Sequence, residues 1–342
     1  MGGAARHADQ LDRDTPADIY LSAMKTSARF PDIDISEGHY ESFFLKASDP
    51  AGGRAVWIRH TVLRRPGEEL DAAVWFTYFD ASRGPPRAAR RRLPQEAISA
   101  PAEAYIRIDG AELGPGWCRG QMTSPDLTAT WGLRFNDHHD PLRYLPEWAY
   151  RRRLPRTKLT APHPGALFDG TIELDGERID VTAWPGIVGH NWGAEHAERW
   201  VWIHGTSPKG AASTDYLDFA AGRARLGVAR TPWIAFGRLI LAGEQYELGG
   251  WARARRTKLD PSETSCRFTV PGEGVTVEGT IAAPAERFVE WVYADPSGGE
   301  RDVLNCSISD LDFRVRRRGR DDRELSIEAG AVYEFGSGAT AA

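Results

Sequence analysis

Short apolar runs separated by turn residues dominate this chain and predict an all-β protein. The runs are rich in Val, Ile, Thr and aromatic residues, and Gly, Pro and Asp-Gly dipeptides interrupt them, as expected for antiparallel strands and hairpins. Three hairpins are indicated most clearly: one around Pro66-Gly67, between the runs 54–65 and 71–80, and others around Asp109-Gly110 and Asp175-Gly176. About sixteen strands are predicted, with the spacing of a sandwich or a pair of barrels.

Helical segments are predicted at only three places, residues 17–26, 85–99 and 141–153. The middle segment lacks a clean apolar face, so a solvated loop is an alternative interpretation there. Any helices are therefore few and short.

The length suggests two domains. At 342 residues the chain is too long for one ordinary core and suits two units of about 150 residues each. We predict a polar leader over residues 1–20, an N-terminal barrel over 21–198, a C-terminal barrel over 199–336 and a flexible tail over 337–342.

Composition narrows the class of protein and of partner. Charged residues make up 27% of the chain, mean hydropathy is −0.45 and the net charge is −5, which fits a globular protein and gives no support for a nucleic-acid surface. The three cysteines, Cys118, Cys266 and Cys306, form no C-x-x-C pair, so a reducing cytoplasm is the simplest expectation. No run of about 18 apolar residues occurs, so at most a transient contact with a membrane surface is expected. The oligomeric state is left open.

Candidate chemistry is concentrated in the segment 184–205, WPGIVGHNWGAEHAERWVWIHG. It holds four of the twelve tryptophans and three of the nine histidines. If WVWIH is extended, Trp200, Trp202 and His204 share one face, and His190 and Trp192 share a face in the same way. We also expect Gly189 and Gly193, the first and last residues of GHNWG, to let the backbone turn sharply.

Aromatic rings set among polar groups predict a pocket for an unsaturated, mostly hydrocarbon ligand. An acid or imidazolium facing such a pocket has a shifted pKa and can protonate a double bond or activate water. The alternative is a barrel core in which the histidines bond to the backbone. A metal centre is a weaker alternative, because the histidine spacings of six and eight residues match no common zinc pattern.

The stretch from Pro155 to Gly205, leading into GHNWG and WVWIHG, resembles the lipocalin-like proteins related to carotenoid 1,2-hydratase (hydroxyneurosporene synthase) and the AttH-type proteins. The resemblance implies two consecutive lipocalin-like (calycin-type) antiparallel β-barrels. It also implies hydration of a prenyl double bond or, as in fungal relatives, cyclisation of polyenes, including Diels-Alder closure. His190 and Trp192 match the family's D-H-x-W-type motif, whereas Gly189 stands where the hydratases have an acid.

The leading hypothesis is an enzyme without a cofactor, a hydratase, isomerase or cyclase acting on an isoprenoid or polyene. The predicted catalytic residues are His190, Glu195 and His204, with no metal. The predicted substrate-binding residues are Trp184, Asn191, Trp192, His196, Trp200 and Trp202. The competing hypothesis is a non-catalytic carrier that uses the same rings to bind a lipophilic molecule.

Overall fold

A computed structural model describes residues 27–30, 38–226 and 229–338, and most of them lie in strands. The predicted leader, the predicted helix over 17–26 and residues 339–342 of the predicted tail lie outside the described residues. The prediction of an all-β chain with two consecutive antiparallel barrels is confirmed: one sheet is a nearly closed barrel and the other a half-barrel.

The first sheet has twelve strands in the order β4-β3-β2-β1-β12-β11-β9-β8-β7-β6-β5, with β10 paired to β11. Their bounds are β1 His39–Ser48, β2 Arg54–Arg64, β3 Asp71–Asp80, β4 Arg87–Pro94, β5 Ile98–Ser99, β6 Ile106–Ile108, β7 Ala111–Gly114, β8 Trp117–Thr123, β9 Thr128–Asn136, β10 Leu142–Arg143, β11 Thr157–Leu174 and β12 Glu177–Gly193.

The second sheet has ten strands in the order β18-β17-β14-β13-β24-β23-β21-β20-β19, with β22 paired to β23. Strands β15 and β16 form a separate pair. The bounds are β13 Arg199–Thr206, β14 Tyr216–Arg223, β15 Arg225–Leu226, β16 Ala229–Arg230, β17 Ile234–Leu241, β18 Glu244–Gly249, β19 Lys258–Pro261, β20 Ser265–Pro271, β21 Val275–Ala282, β22 Val289–Ala294, β23 Glu300–Arg317 and β24 Arg323–Gly338.

All three predicted hairpins are present. β2 pairs with β3 around Pro66-Gly67, β6 with β7 around Asp109-Gly110, and β11 with β12 around Asp175-Gly176. Asp109 and Asp175 have positive φ, and so do the glycines after them, as a type I′ turn requires.

The helix predictions were largely wrong. Residues 85–99 form β4, the 3-10 turn Gln95–Ala97 and β5, because Arg87–Pro94 pairs with β3 along its whole length. In 141–153 the helix α1 covers only Glu147–Tyr150, and 3-10 turns occur at Trp251–Arg253 and Ala285–Arg287. No described helix has the length and apolar composition needed to cross a membrane.

Burial patterns show which strands lie between the two sheets. β9 alternates strictly between exposed and buried positions, so one of its faces fills the first barrel and the other faces solvent. β1 is buried on both faces: Phe43 and Leu45 belong to the core of the first barrel, while Phe44 packs against Trp202 of the second sheet. The outer face of β1 therefore forms part of the contact between the sheets.

Candidate functional site

A cavity of about 1250 Å³ is lined by residues from both sheets. The first sheet contributes residues of β1, β2, β11 and β12, and the second contributes residues of β13, β14, β17, β22, β23 and β24. Its principal side chains are Tyr40, Phe44, Trp57, Arg59, Tyr144, Asn191, His196, Trp200, Trp202, Phe236, Tyr293 and Glu334. The pocket thus lies between the barrels.

Strand β13 supplies one wall, and its side chains alternate as predicted. Val201 and Ile203 belong to the core of the second barrel, whereas Trp200 and Trp202 face the cavity. The ring of Trp202 stacks on that of His204 at 6.2 Å. The period of two therefore separates the wall of the cavity from the barrel core.

His190 is among the residues that line the cavity, but its ring lies on the inner face of the first barrel, beside Phe43. There it forms a buried pair with Glu41, which the sequence alone did not indicate. Its Nε2 lies 2.7 Å from Oε1 of Glu41, and both side chains are almost completely buried. The imidazole is held between the rings of Phe43, at 4.2 Å, and Trp192, at 4.5 Å. Its Nδ1 has no hydrogen-bond partner among the described residues.

The Glu41 carboxylate is kept ionised by its neighbours. Burial by itself raises the pKa of this carboxyl, but contacts with His190 and His39 and the backbone amide of Phe30 outweigh burial, so the net pKa is lowered. The amide of Phe30 donates to Oε2 at 2.6 Å, and Nε2 of His39 lies 3.6 Å from the same oxygen. The acid beside His190 thus comes from β1, and not from the position that precedes His190 in the chain, where Gly189 stands.

Packing explains why position 189 is a glycine. Gly189 lies opposite Phe44 in the pairing of β1 with β12, and a Cβ built on it would lie 2.1 Å from Cζ of Phe44. Any larger residue would displace the Phe44 ring from the cavity wall. The expected sharp turn is absent, because β12 runs through the segment to Gly193.

Polar groups reach the cavity at several points along its wall. Oδ1 of Asn191 is buried without a hydrogen-bond partner in the described part of the chain. Burial raises the pKa of Tyr40 to about 12, so its phenol stays protonated and can donate a hydrogen bond. Burial lowers the pKa of His196 to about 3, which keeps this imidazole neutral beside the Tyr40 ring at 4.1 Å.

A second group of polar side chains lies where β22 and β24 meet the cavity. Glu334 accepts hydrogen bonds from Nε1 of Trp200 at 2.9 Å and Nδ2 of Asn305 at 3.1 Å, and the Tyr293 hydroxyl lies 3.5 Å away. Asp295 accepts a hydrogen bond from the His196 amide at 3.1 Å and pairs with Arg301 at 3.2 Å. Both carboxylates are thus held by protein donors.

Four of the predicted site residues have other surroundings. Glu195 pairs with Arg156 at 2.9 Å, and both side chains are substantially exposed, so this acid lies in water at the rim. Trp184 belongs to the core of the first barrel, and Trp192 packs behind His190 against Tyr150.

His204 is fully buried behind Trp202, with Nδ1 3.5 Å from Oδ2 of Asp218. Tyr144 and Trp202 donate hydrogen bonds to the same carboxylate, at 2.8 and 3.1 Å. Burial lowers the pKa of His204 despite this acid, so the imidazole is held neutral within the contact between the sheets.

The three histidines of the segment do not converge on a shared point. His190 pairs with Glu41, His196 with the Tyr40 ring and His204 with Asp218. Over the residues that the structure describes, no group of three or more His, Cys, Asp or Glu side chains is arranged to hold a metal ion.

No family model matches the chain. An uncharacterised protein found in two strains of Mycobacterium tuberculosis is 26% identical over 295 residues, which cover 85% of this chain and 86% of that protein. A probable chloroplastic tocopherol cyclase of Oryza sativa subsp. japonica is 34% identical over 67 residues, which are 20% of this chain and 14% of the cyclase.

Two solved structures share the architecture. An AttH-like protein from Nitrosomonas europaea has a TM-score of 0.52 and 13% identity, and the match covers 98% of this chain and 100% of that one. Kievitone hydratase from Nectria haematococca has a TM-score of 0.56 and 9% identity, with 89% and 90% covered. The predicted resemblance to AttH-type proteins is confirmed at the level of the fold, and membership of the carotenoid hydratase family stays a prediction.

Proposed function

We propose that this chain is an enzyme that acts on a hydrophobic, unsaturated small molecule by acid/base chemistry in the cavity between the two sheets. The observation that carries the proposal is the buried pair of His190 and Glu41 at the edge of a large aromatic cavity, with His190 among the residues that line it. The substrate class is an isoprenoid or polyene, and the reaction class is hydration, isomerisation or cyclisation.

The cavity suits such a ligand in size and surface. Its volume of about 1250 Å³ lies slightly above the range of about 300–1000 Å³ that is usual for small-molecule sites, so an extended ligand fits. Indole and phenol rings present apolar faces to a hydrocarbon chain. The same faces attract a cationic carbon, at about 0.5–2 kcal/mol for each ring.

The His190–Glu41 pair provides the acid/base group. An ionised Glu41 holds a proton on Nε2 and fixes the ring orientation, as a carboxylate does for a catalytic imidazole. The opposite nitrogen, Nδ1, is then the atom that gives or takes a proton. Glu41 is a positioning residue in this scheme, and His190 is the catalytic residue.

Protonation of a double bond forms one C–H bond from the π electrons and leaves a cationic carbon on the ligand. Hydration follows if water adds to that carbon and returns a proton to His190. Isomerisation follows if a neighbouring carbon loses a proton to His190. Cyclisation follows if a hydroxyl group of the ligand attacks the cationic carbon and its proton passes to His190. The fold shared with a hydratase and the short match to a probable tocopherol cyclase support these classes.

The test is turnover over a panel of linear terpenoids, prenylated phenols and polyenes, followed by mass spectrometry. The wild type should convert at least one compound, and His190→Ala should lower its turnover by about 10²- to 10⁴-fold, the usual contribution of a general acid or base. His60→Ala removes a buried histidine that does not line the cavity, so it serves as the matched control.

Two outcomes contradict the proposal. Turnover that is unchanged in His190→Ala removes this residue from the chemistry. Ligands that bind the wild type and are recovered unaltered across the whole panel favour the carrier hypothesis.

A further inference from the structure

One cation of the cavity is buried without an acidic partner. Arg59 lines the cavity and is only 5% exposed. Its Nε donates to Oγ of Ser42 at 2.6 Å. No Asp or Glu of the described chain lies within ion-pair distance of it, whereas Arg301 in the same wall is paired with Asp295.

Aromatic rings hold the guanidinium in place. Its central carbon lies 4.1 Å from the centre of the Tyr293 ring, 5.6 Å from that of Trp75 and 5.9 Å from that of Trp57. Ring faces stabilise a cation but accept no ordinary hydrogen bond from its N–H groups. Of these three side chains, only Tyr293 has an oxygen that can accept one. The guanidinium of Arg59 is thereby fixed at the wall of an apolar cavity, and it keeps N–H groups that can donate to a ligand.

The neighbouring carboxylates do not neutralise this charge by contact. Asp295 is taken by Arg301 and the His196 amide, and Glu334 by Trp200 and Asn305. A buried charge without a partner raises the free energy of the protein. Binding of a ligand with the opposite charge is favoured because it removes that cost.

We propose that Arg59 binds an oxyanion head group, a carboxylate or a phosphate, on a ligand whose remainder is apolar and unsaturated. A guanidinium matches the two oxygens of either group through parallel N–H···O bonds. The tail then lies along Trp200 and Trp202, which form the adjoining wall. This inference rests on the proposed function insofar as it assigns the ligand to the same cavity, and it identifies the substrate class as amphiphilic.

Retinoic acid and retinol test the inference because they share a polyene and differ in the head group. Both are titrated into the full-length protein while its tryptophan fluorescence is followed. The wild type should bind the acid more tightly, and Arg59→Gln should weaken binding of the acid by about 10- to 150-fold, as expected for a hydrogen bond to a charged group. Binding of retinol should change by less than about threefold.

Two further variants complete the design. Arg59→Lys keeps the positive charge but lacks the two parallel N–H donors of a guanidinium, so it should retain part of the preference for the acid. Arg83→Gln changes an exposed arginine outside the cavity that pairs with Glu177, and it should behave as the wild type. Displacement of retinoic acid by farnesyl phosphate, but not by farnesol, would identify phosphate as an accepted head group.

The outcomes separate this inference from the proposed function. Equal affinity of the wild type for acid and alcohol, or an unchanged preference in Arg59→Gln, overturns the role of Arg59 alone. If neither retinoid binds the wild type, the cavity does not take an amphiphilic polyene and this inference fails, whereas turnover over the panel of compounds still decides the proposed function. Should Arg59→Gln fail to fold, the wild-type comparison and Arg59→Lys still decide.

Discussion

Replacing Glu41 by glutamine tests the buried acid on which the arrangement of His190 depends. Glu41 has no solvent exposure, and its two oxygens accept from different donors: Oε1 from His190 at 2.7 Å and Oε2 from the Phe30 amide at 2.6 Å. Glutamine keeps the shape but has one oxygen only. Its NH₂ group must therefore face one of these two donors.

The expected loss of stability follows from those contacts. A hydrogen bond to a charged group contributes about 1.5–3 kcal/mol and a neutral one about 0.5–1.5 kcal/mol, and one of the two bonds is lost altogether. Glutamine is neutral, so the variant no longer bears the cost of burying a charge, and this offsets part of the loss. We expect Glu41→Gln to lower the free energy of unfolding by about 1–3 kcal/mol at neutral pH.

The loss should depend on pH with a defined sign. The pKa of Glu41 in the folded protein is lowered from its ordinary value of 4.5, so the carboxylate stabilises the fold above that value. The contribution disappears as the pH falls through the folded pKa. The difference in stability between wild type and Glu41→Gln should thus be full at about pH 7 and shrink below about pH 4.5.

Urea unfolding followed by tryptophan fluorescence at several pH values measures both quantities. Glu112→Gln removes another buried carboxylate, one paired with Arg107 and Arg119 outside the cavity, and should leave turnover unchanged. A Glu41→Gln variant as stable as the wild type near neutral pH would refute the ionised pair. So would a difference that stays constant into the acid range.

Two other substitutions test the packing between the strands. Gly189→Ala should destabilise the protein by about 1–3 kcal/mol through overlap with Phe44, and Phe44→Leu should recover part of that loss in the double variant; additive effects would contradict the overlap. Lys46 is fully buried, and burial lowers its pKa from 10.5 to about 7. The unfolded chain therefore binds more protons between these values, so wild-type stability should rise with pH there. Lys46→Met should abolish this rise in urea unfolding, whereas an unchanged slope would assign it to another group.

Local patterns predicted the parts of the fold that local geometry determines. The Asp-Gly turns gave the hairpins, and the period of two along WVWIH placed Trp200 and Trp202 on one face. The segment 85–99 was wrongly assigned because pairing with β3 decides its conformation, and that pairing is not visible within the segment.

The site itself depends on long-range pairing. Glu41 meets His190 because β1 lies beside β12, although 149 residues separate them. One local signal was available: HYESFFLKAS places a single acid and a single lysine on either side of two adjacent phenylalanines. Arg59 and Tyr293 come from different sheets, so only the packing of the two sheets brings them together.

Isotope incorporation tests the central claim, that His190 transfers a proton to a ligand held between the sheets, most directly. A compound that the wild type converts is incubated with the protein in D₂O, and the product is analysed by mass spectrometry. We expect one deuterium on carbon in the hydrated, isomerised or cyclised product, and strongly reduced product with His190→Ala. A product free of carbon-bound deuterium, or one formed at the wild-type rate by His190→Ala, would contradict it.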